Sequence, residues 1–141
     1  MSERGPLLDV NALVAAVWDS HVHHDQMVRW FREHGTEGWA TCPVTESGFV
    51  RVSSNPKVLP APVAVRDARR VLGILRDRPS HVFVHDDVSM TDPDVPELVG
   101  HRQVTDAHLL VLARRHGRPL LTFDRGLANL GGADVTLLPS P

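Results

Sequence analysis

Short apolar runs alternate along this chain with longer stretches in which apolar positions recur every three or four residues. Residues 7–10 read as a short buried strand that ends at a carboxylate, Asp9, with Asn11 as a possible cap and a helix over 12–18. Met27, Trp30 and Phe31 mark the inner side of a helix over 24–34, which Gly35 stops. Residues 39–42 form the next predicted strand, and Pro43 opens a helix carrying Glu46, Phe49 and Val50 inward. Proline-punctuated residues 55–62 read as a loop. A helix follows over 63–76, with Val71, Leu72 and Leu75 inside and Arg66, Arg69, Arg70 and Arg76 largely outside.

Residues 82–84 are a strand, and 86–100, with Pro93 and Pro96, are loop with at most a short helix near Glu97. Ala107, Leu110, Val111 and Ala113 define the clearest helix, over 104–116, closed by Gly117. Residues 120–122 form a strand leading to Asp124, and 135–138 a last edge strand. Strands separated by helices imply parallel neighbours and right-handed crossovers. The expected architecture is therefore α/β: a three-layer α/β/α sandwich around a parallel sheet of four or five strands.

A chain of 141 residues matches one domain, 1–141, large enough to bury its own core. No apolar run approaches the ~20 residues that span a membrane, and residues 1–6 lack a signal-peptide pattern. The single cysteine, Cys42, excludes an internal disulfide and disfavours structural zinc, so a reducing cytoplasm is expected. A net charge of -2 neither supports nor excludes a nucleic-acid partner.

Asp9, Glu46, Asp106 and Asp124 change that picture. Each falls where a predicted strand gives way to a helix, or within that helix's first turn. In an open parallel sheet such positions converge on the carboxyl edge of the strands, where ligands bind. Carboxylates crowded there repel one another unless a cation lies between them. Oxygen donors suit Mg²⁺ or Mn²⁺, and phosphate chemistry is a natural use for such an ion. Taken singly, Asp9 and Asp106 also read as helix caps, Glu46 as a surface residue and Asp124 as a turn residue beside Gly126. Thr45, Thr105 and Thr122 place hydroxyls beside three of the acids, either to cap backbone or to orient carboxylates.

The ordered set of motifs resembles the PIN-domain ribonucleases, and more narrowly the VapC toxins of bacterial toxin–antitoxin pairs. The motifs are Leu8-Asp9-Val10-Asn11-Ala12-Leu13, Cys42-Pro43-Val44-Thr45-Glu46, Gln103-Val104-Thr105-Asp106-Ala107-His108 and Leu121-Thr122-Phe123-Asp124. The resemblance covers essentially the whole chain. It implies a Mg²⁺- or Mn²⁺-dependent endoribonuclease that cuts structured RNA, often transfer or ribosomal RNA, and so halts translation. It also implies a homodimer and a cognate VapB-like antitoxin. By the same resemblance Asp9, Glu46, Asp106 and Asp124 are the metal-binding and catalytic acids. Asn11 stands where many relatives have serine or threonine, yet it can still donate a hydrogen bond to a carboxylate.

Arg51, His101, Arg102 and Arg125 lie near these motifs and are candidate phosphate contacts, against solvated or ion-paired roles. His21, His23 and His24 suggest capping or packing rather than a metal site, and the three tryptophans suggest core or interface. Rival readings are a phosphatase-like or signalling α/β domain with an acidic metal site, and a non-catalytic binding module. Asp9-Val10-Asn11 lacks the second aspartate of the phosphatase design, and residues 119–124 lack the lysine both enzyme-like rivals want.

Overall fold

Leu7 and Leu8 are both fully buried, yet they belong to separate apolar clusters. Adjacent strand residues point to opposite faces, so a sheet covered on both sides buries each of them. Leu120 and Leu121 repeat the division, as do Ala40 and Trp39. The computed structural model describes residues 4–139 and bears out the three-layer expectation. Strands β1 (Leu7–Leu8), β2 (Trp39–Thr41), β3 (His81–Phe83), β4 (Leu120–Thr122) and β5 (Val135–Leu137) form one sheet, ordered β3-β2-β1-β4-β5. All four pairings are parallel.

Helices α1 (Val10–Val17), α2 (His24–His34), α3 (Pro43–Ser53) and α4 (Val65–Arg76) contribute Leu13, Met27, Phe49 and Ala68 to the cluster on one face. Helices α5 (Val104–Arg115) and α6 (Arg125–Gly131) contribute Leu109, Leu110 and Leu127 to the other. Gly48 lets α3 approach α1 closely, since a Cβ there would lie 2.5 Å from Val10 Cγ2.

The chain runs outward from β1 through β2 to β3, then returns by α5 to β4 on the other side of β1. Strand order reverses between β1 and β4. That reversal opens a crevice at their carboxyl ends, the usual ligand position in open α/β sheets.

Three local details differ from expectation, while the loop expected over 86–100 is borne out. Helix α1 starts at Val10 rather than residue 12, because Asp9 caps it; Asn11 lies inside the first turn and caps nothing. Helix α4 starts at Val65, two residues later than expected. Residues 86–100 contain no helix near Glu97, and a single 3₁₀ turn, His101–Gln103, leads into α5. Helix α6 was not anticipated, since its seven residues hold two glycines and too few apolar positions to show a period.

Candidate active site

Asp9 follows β1 directly. Its backbone N–H donates to Leu121 O at 2.9 Å, so the residue is still stitched to β4 as its side chain reaches the crevice. Val10 N–H donates to Asp9 Oδ1 at 2.8 Å, and the Thr122 hydroxyl donates to Oδ2 at 2.8 Å. Asp124 follows β4 and caps α6, its Oδ1 accepting from Gly126 N–H at 2.8 Å and Leu127 N–H at 3.2 Å. Both residues are therefore caps and crevice residues at once. Asp106 is no cap, because α5 begins two residues earlier and Gln103 stands at its N-cap position.

The three aspartates feel one another's charge. Burial raises the Asp106 pKa to about 6, with Asp9 and Asp124 pushing in the same direction. Burial also raises the Asp9 pKa, opposed by the Thr122 and Val10 hydrogen bonds and assisted by Asp124. Asp9 is buried, Asp106 half-buried and Asp124 exposed, so the set grades from core to solvent. No hydrogen bond offsets the Asp106 shift. A half-buried carboxylate with two like charges nearby and no donor is electrostatically incomplete.

Glu46 is held differently. The Thr41 hydroxyl donates to its Oε2 at 2.6 Å, and Arg76 Nη1 approaches Oε1 at 3.5 Å. Having given its one proton to Glu46, Thr41 Oγ1 accepts from His81 Nε2 at 2.7 Å. Arg76 in turn lies 4.4 Å from the centre of the Phe83 ring. A cavity of ≈ 500 Å³ opens beside these groups, lined also by Arg69, Leu72 and Gly73. The structure thus brings Asp9, Asp106 and Asp124 together, while Glu46 sits with Thr41 and Arg76 at the neighbouring β2–β3 end of the edge.

The hydroxyl expectations divide. Thr122 does orient Asp9, and it also accepts from Asp124 N–H at 3.0 Å. Thr45 does not touch Glu46: its hydroxyl accepts from Cys42 N–H at 2.9 Å and closes a capping box on α3. Consecutive helix residues point about 100° apart, so Thr45 faces inward when Glu46 faces the edge. Thr41, at the strand end, is the residue that serves Glu46. Thr105 is exposed on the outer side of α5. Asn11 is exposed and lines a cavity with Asp124. Arg51, His101, Arg102 and Arg125 are all exposed, and Arg125 follows Asp124 as the first residue of α6. Thr41, Arg76 and the His108–Asp86 pair (2.7 Å), which ties the first turns of α5 to the segment after β3, carried no sequence signal because each partner lies at least 5 residues away.

The donor chemistry, three carboxylates with Asp106 lacking a hydrogen-bond donor, is of the oxygen type that hard dications take. Among the described residues no three His, Cys, Asp or Glu side chains stand ready to hold an ion as they are placed. Shared coordination by these acids would require side-chain movement, with the Asp124 carboxylate held meanwhile by Gly126 and Leu127 N–H.

Comparison with known proteins gives a consistent result. The family model of the PIN domain matches residues 7–133. The chain is 63% identical over 124 residues to Ribonuclease VapC38 of Mycobacterium tuberculosis, covering 88% of each protein. It is 42% identical over 132 residues to Ribonuclease VapC39 of the same species, covering 92% of this chain and 95% of the relative. Ribonuclease VapC29, also from that species, is 40% identical over 134 residues, covering 95% and 96%.

Proposed function

The chain belongs to the PIN-domain family, and from that premise we propose that it is a VapC-type toxin: a divalent-metal-dependent endoribonuclease. The observation that carries this reading is the convergence of Asp9, Asp106 and Asp124 on the β1–β4 crevice with an uncompensated charge among them. A binding module without chemistry has no use for that arrangement, which costs stability until a cation arrives.

Asp9 and Asp106 would hold the principal ion. Asp124 would add a ligand from the solvent side or hold a second ion, and Thr122 fixes the Asp9 carboxylate through the hydrogen bond to Oδ2. Glu46 would leave Arg76 to bind the ion or to orient the attacking water. When bound, Mg²⁺ or Mn²⁺ lowers the pKa of water and stabilises charge on the phosphodiester. The exposed Arg51, His101, Arg102 and Arg125 bind flanking phosphates. Hydrolysis leaves a 5′-phosphate and a 3′-hydroxyl. The substrate is structured RNA, transfer or ribosomal, and its cleavage inhibits translation in the cytoplasm. A VapB-like antitoxin neutralises a homodimeric toxin. No helix among the described residues is long and apolar enough to cross a membrane.

Brief expression followed by mapping of new RNA 5′ ends tests the reading, with Asp9→Asn as control. New ends should appear only with the wild type. Chelation should stop cleavage by purified protein, and Mg²⁺ or Mn²⁺ should restore it. Full activity in excess chelator would instead favour attack by the RNA 2′-hydroxyl, with histidine as base.

A further inference from the structure

A second cavity adjoins the acidic edge on the side away from Glu46. It measures ≈ 330 Å³ and is lined by Asn11, His21, Val22, His23, Phe123 and Asp124. That volume lies at the lower end of the ~300–1,000 Å³ typical of small-ligand sites. Its walls are aromatic. His23 stacks on Phe123 with ring centres 4.1 Å apart and planes 7° from parallel, and His21 lies 5.6 Å from His23. His23 Nδ1 makes no hydrogen bond, so stacking sets the ring's position rather than a bond at that atom.

His21 presents a defined donor. Its Nδ1 accepts from His23 N–H at 3.0 Å, which leaves the proton of the neutral ring on Nε2. Burial, with His23 and His24 nearby, lowers the His21 pKa and favours that neutral form. Asn11 adds an amide with two donors and an acceptor. No arginine or lysine among the described residues lines the cavity, and Asp124 repels anions from its mouth. A phosphate has no partner here. A flat, uncharged ring with hydrogen-bonding edges has several.

From this geometry we infer that the cavity formed by His21, His23, Phe123 and Asn11 receives an unpaired nucleobase adjacent to the phosphate being cut. Unstacked RNA bases are held in this manner, on aromatic or imidazole faces with polar groups at their edges. The cavity shares Asp124 with the carboxylate crevice, so a base held in it places its own phosphate beside the three aspartates. Choice of cut site then depends on which base fits this cavity. The inference rests on the nuclease reading for RNA as the source of the base, but not for the binding itself.

Carbon-edited NMR of the imidazole signals tests it on the full chain, titrated separately with each of the four nucleoside 5′-monophosphates and with ribose 5-phosphate. The His21 and His23 signals should move saturably with at least one nucleotide and stay in place with ribose 5-phosphate. No movement with any nucleotide, or equal movement with the baseless sugar phosphate, overturns the inference. In cleavage assays His23→Leu keeps an apolar contact with Phe123 and removes the ring; the preference for the best cut site over the next should fall about tenfold. An unchanged cut pattern in a folded His23→Leu protein likewise contradicts it. Nucleotide binding by a wild-type chain that cuts no RNA would sink the nuclease reading and leave the base site standing.

Discussion

Two parts of the same sheet edge treat negative charge in opposite ways. At the β1–β4 crevice, burial raises the proton affinity of Asp9 and Asp106, the charge of Asp124 pushes both the same way, and Asp106 has no donor to offset its burial. At the β2–β3 end, Glu46 is served by the Thr41 hydroxyl and by Arg76, itself seated on Phe83. No cationic side chain among the described residues pairs with the first arrangement; the second carries Arg76. On the reading proposed above, the aspartates would form the binding element, and Glu46 a movable one that exchanges Arg76 for an ion or a water.

Removing an aspartate should break the contrast most severely. Asp9→Asn and Asp106→Asn should each lower RNA cleavage by roughly a hundred-fold or more, because transition-state stabilisation by the ion amounts to several kcal/mol. Single-turnover cleavage measures this. The metal-free Asp106→Asn protein should also melt a few degrees higher than wild type near pH 7.5. The Asp106 pKa of about 6 lies above its ordinary 3.8, so the folded state binds the extra proton. That contribution to stability is full below about 3.8 and is lost as pH rises through about 6. The asparagine variant, having no such proton to lose, should show a flatter melting profile across that window.

Smaller losses follow from residues that orient or assist. Thr122→Val removes the donor to Asp9 Oδ2 and the acceptor for Asp124 N–H, and should weaken Mn²⁺ binding about 10- to 100-fold. Glu46→Gln should slow cleavage by a similar factor of roughly 10- to 100-fold while changing Mn²⁺ affinity less than either aspartate substitution does.

The smallest effect sharpens the comparison. Arg76→Ala frees Glu46 from its ion pair, a half-exposed contact of ~0.2–1 kcal/mol. Mn²⁺ binding should tighten by about two- to five-fold, read by calorimetry. Weaker binding in Arg76→Ala would show that Glu46 does its work where it now sits.

The outline of this contrast was visible in the sequence, and its detail was not. Alternation of short apolar runs with three- and four-residue periods marks all five strands and the longer helices, because burial on both faces of a parallel sheet demands it. The acids stand out because Asp9 and Asp124 follow buried strands while Glu46 and Asp106 lie in the first turns of helices. Which hydroxyl serves which acid could not be settled from neighbours in sequence: Thr45 turns into the core, and Thr41, five residues before Glu46, takes the role assigned to it. The Arg76–Glu46 pair and the stacking of His23 on Phe123 join segments 30 and 100 residues apart, and only the fold brings them into contact. Helix α6 stayed hidden because Asp124, its cap, precedes Arg125-Gly126 and mimics a turn.

The central claim is that Asp9, Asp106 and Asp124 share one divalent cation. Isothermal titration of Mn²⁺ into the wild type, Asp9→Asn and Asp106→Asn tests it most directly. The account predicts saturable binding by the wild type that is lost in both variants. Binding of equal strength in all three proteins, or none in the wild type, would contradict it.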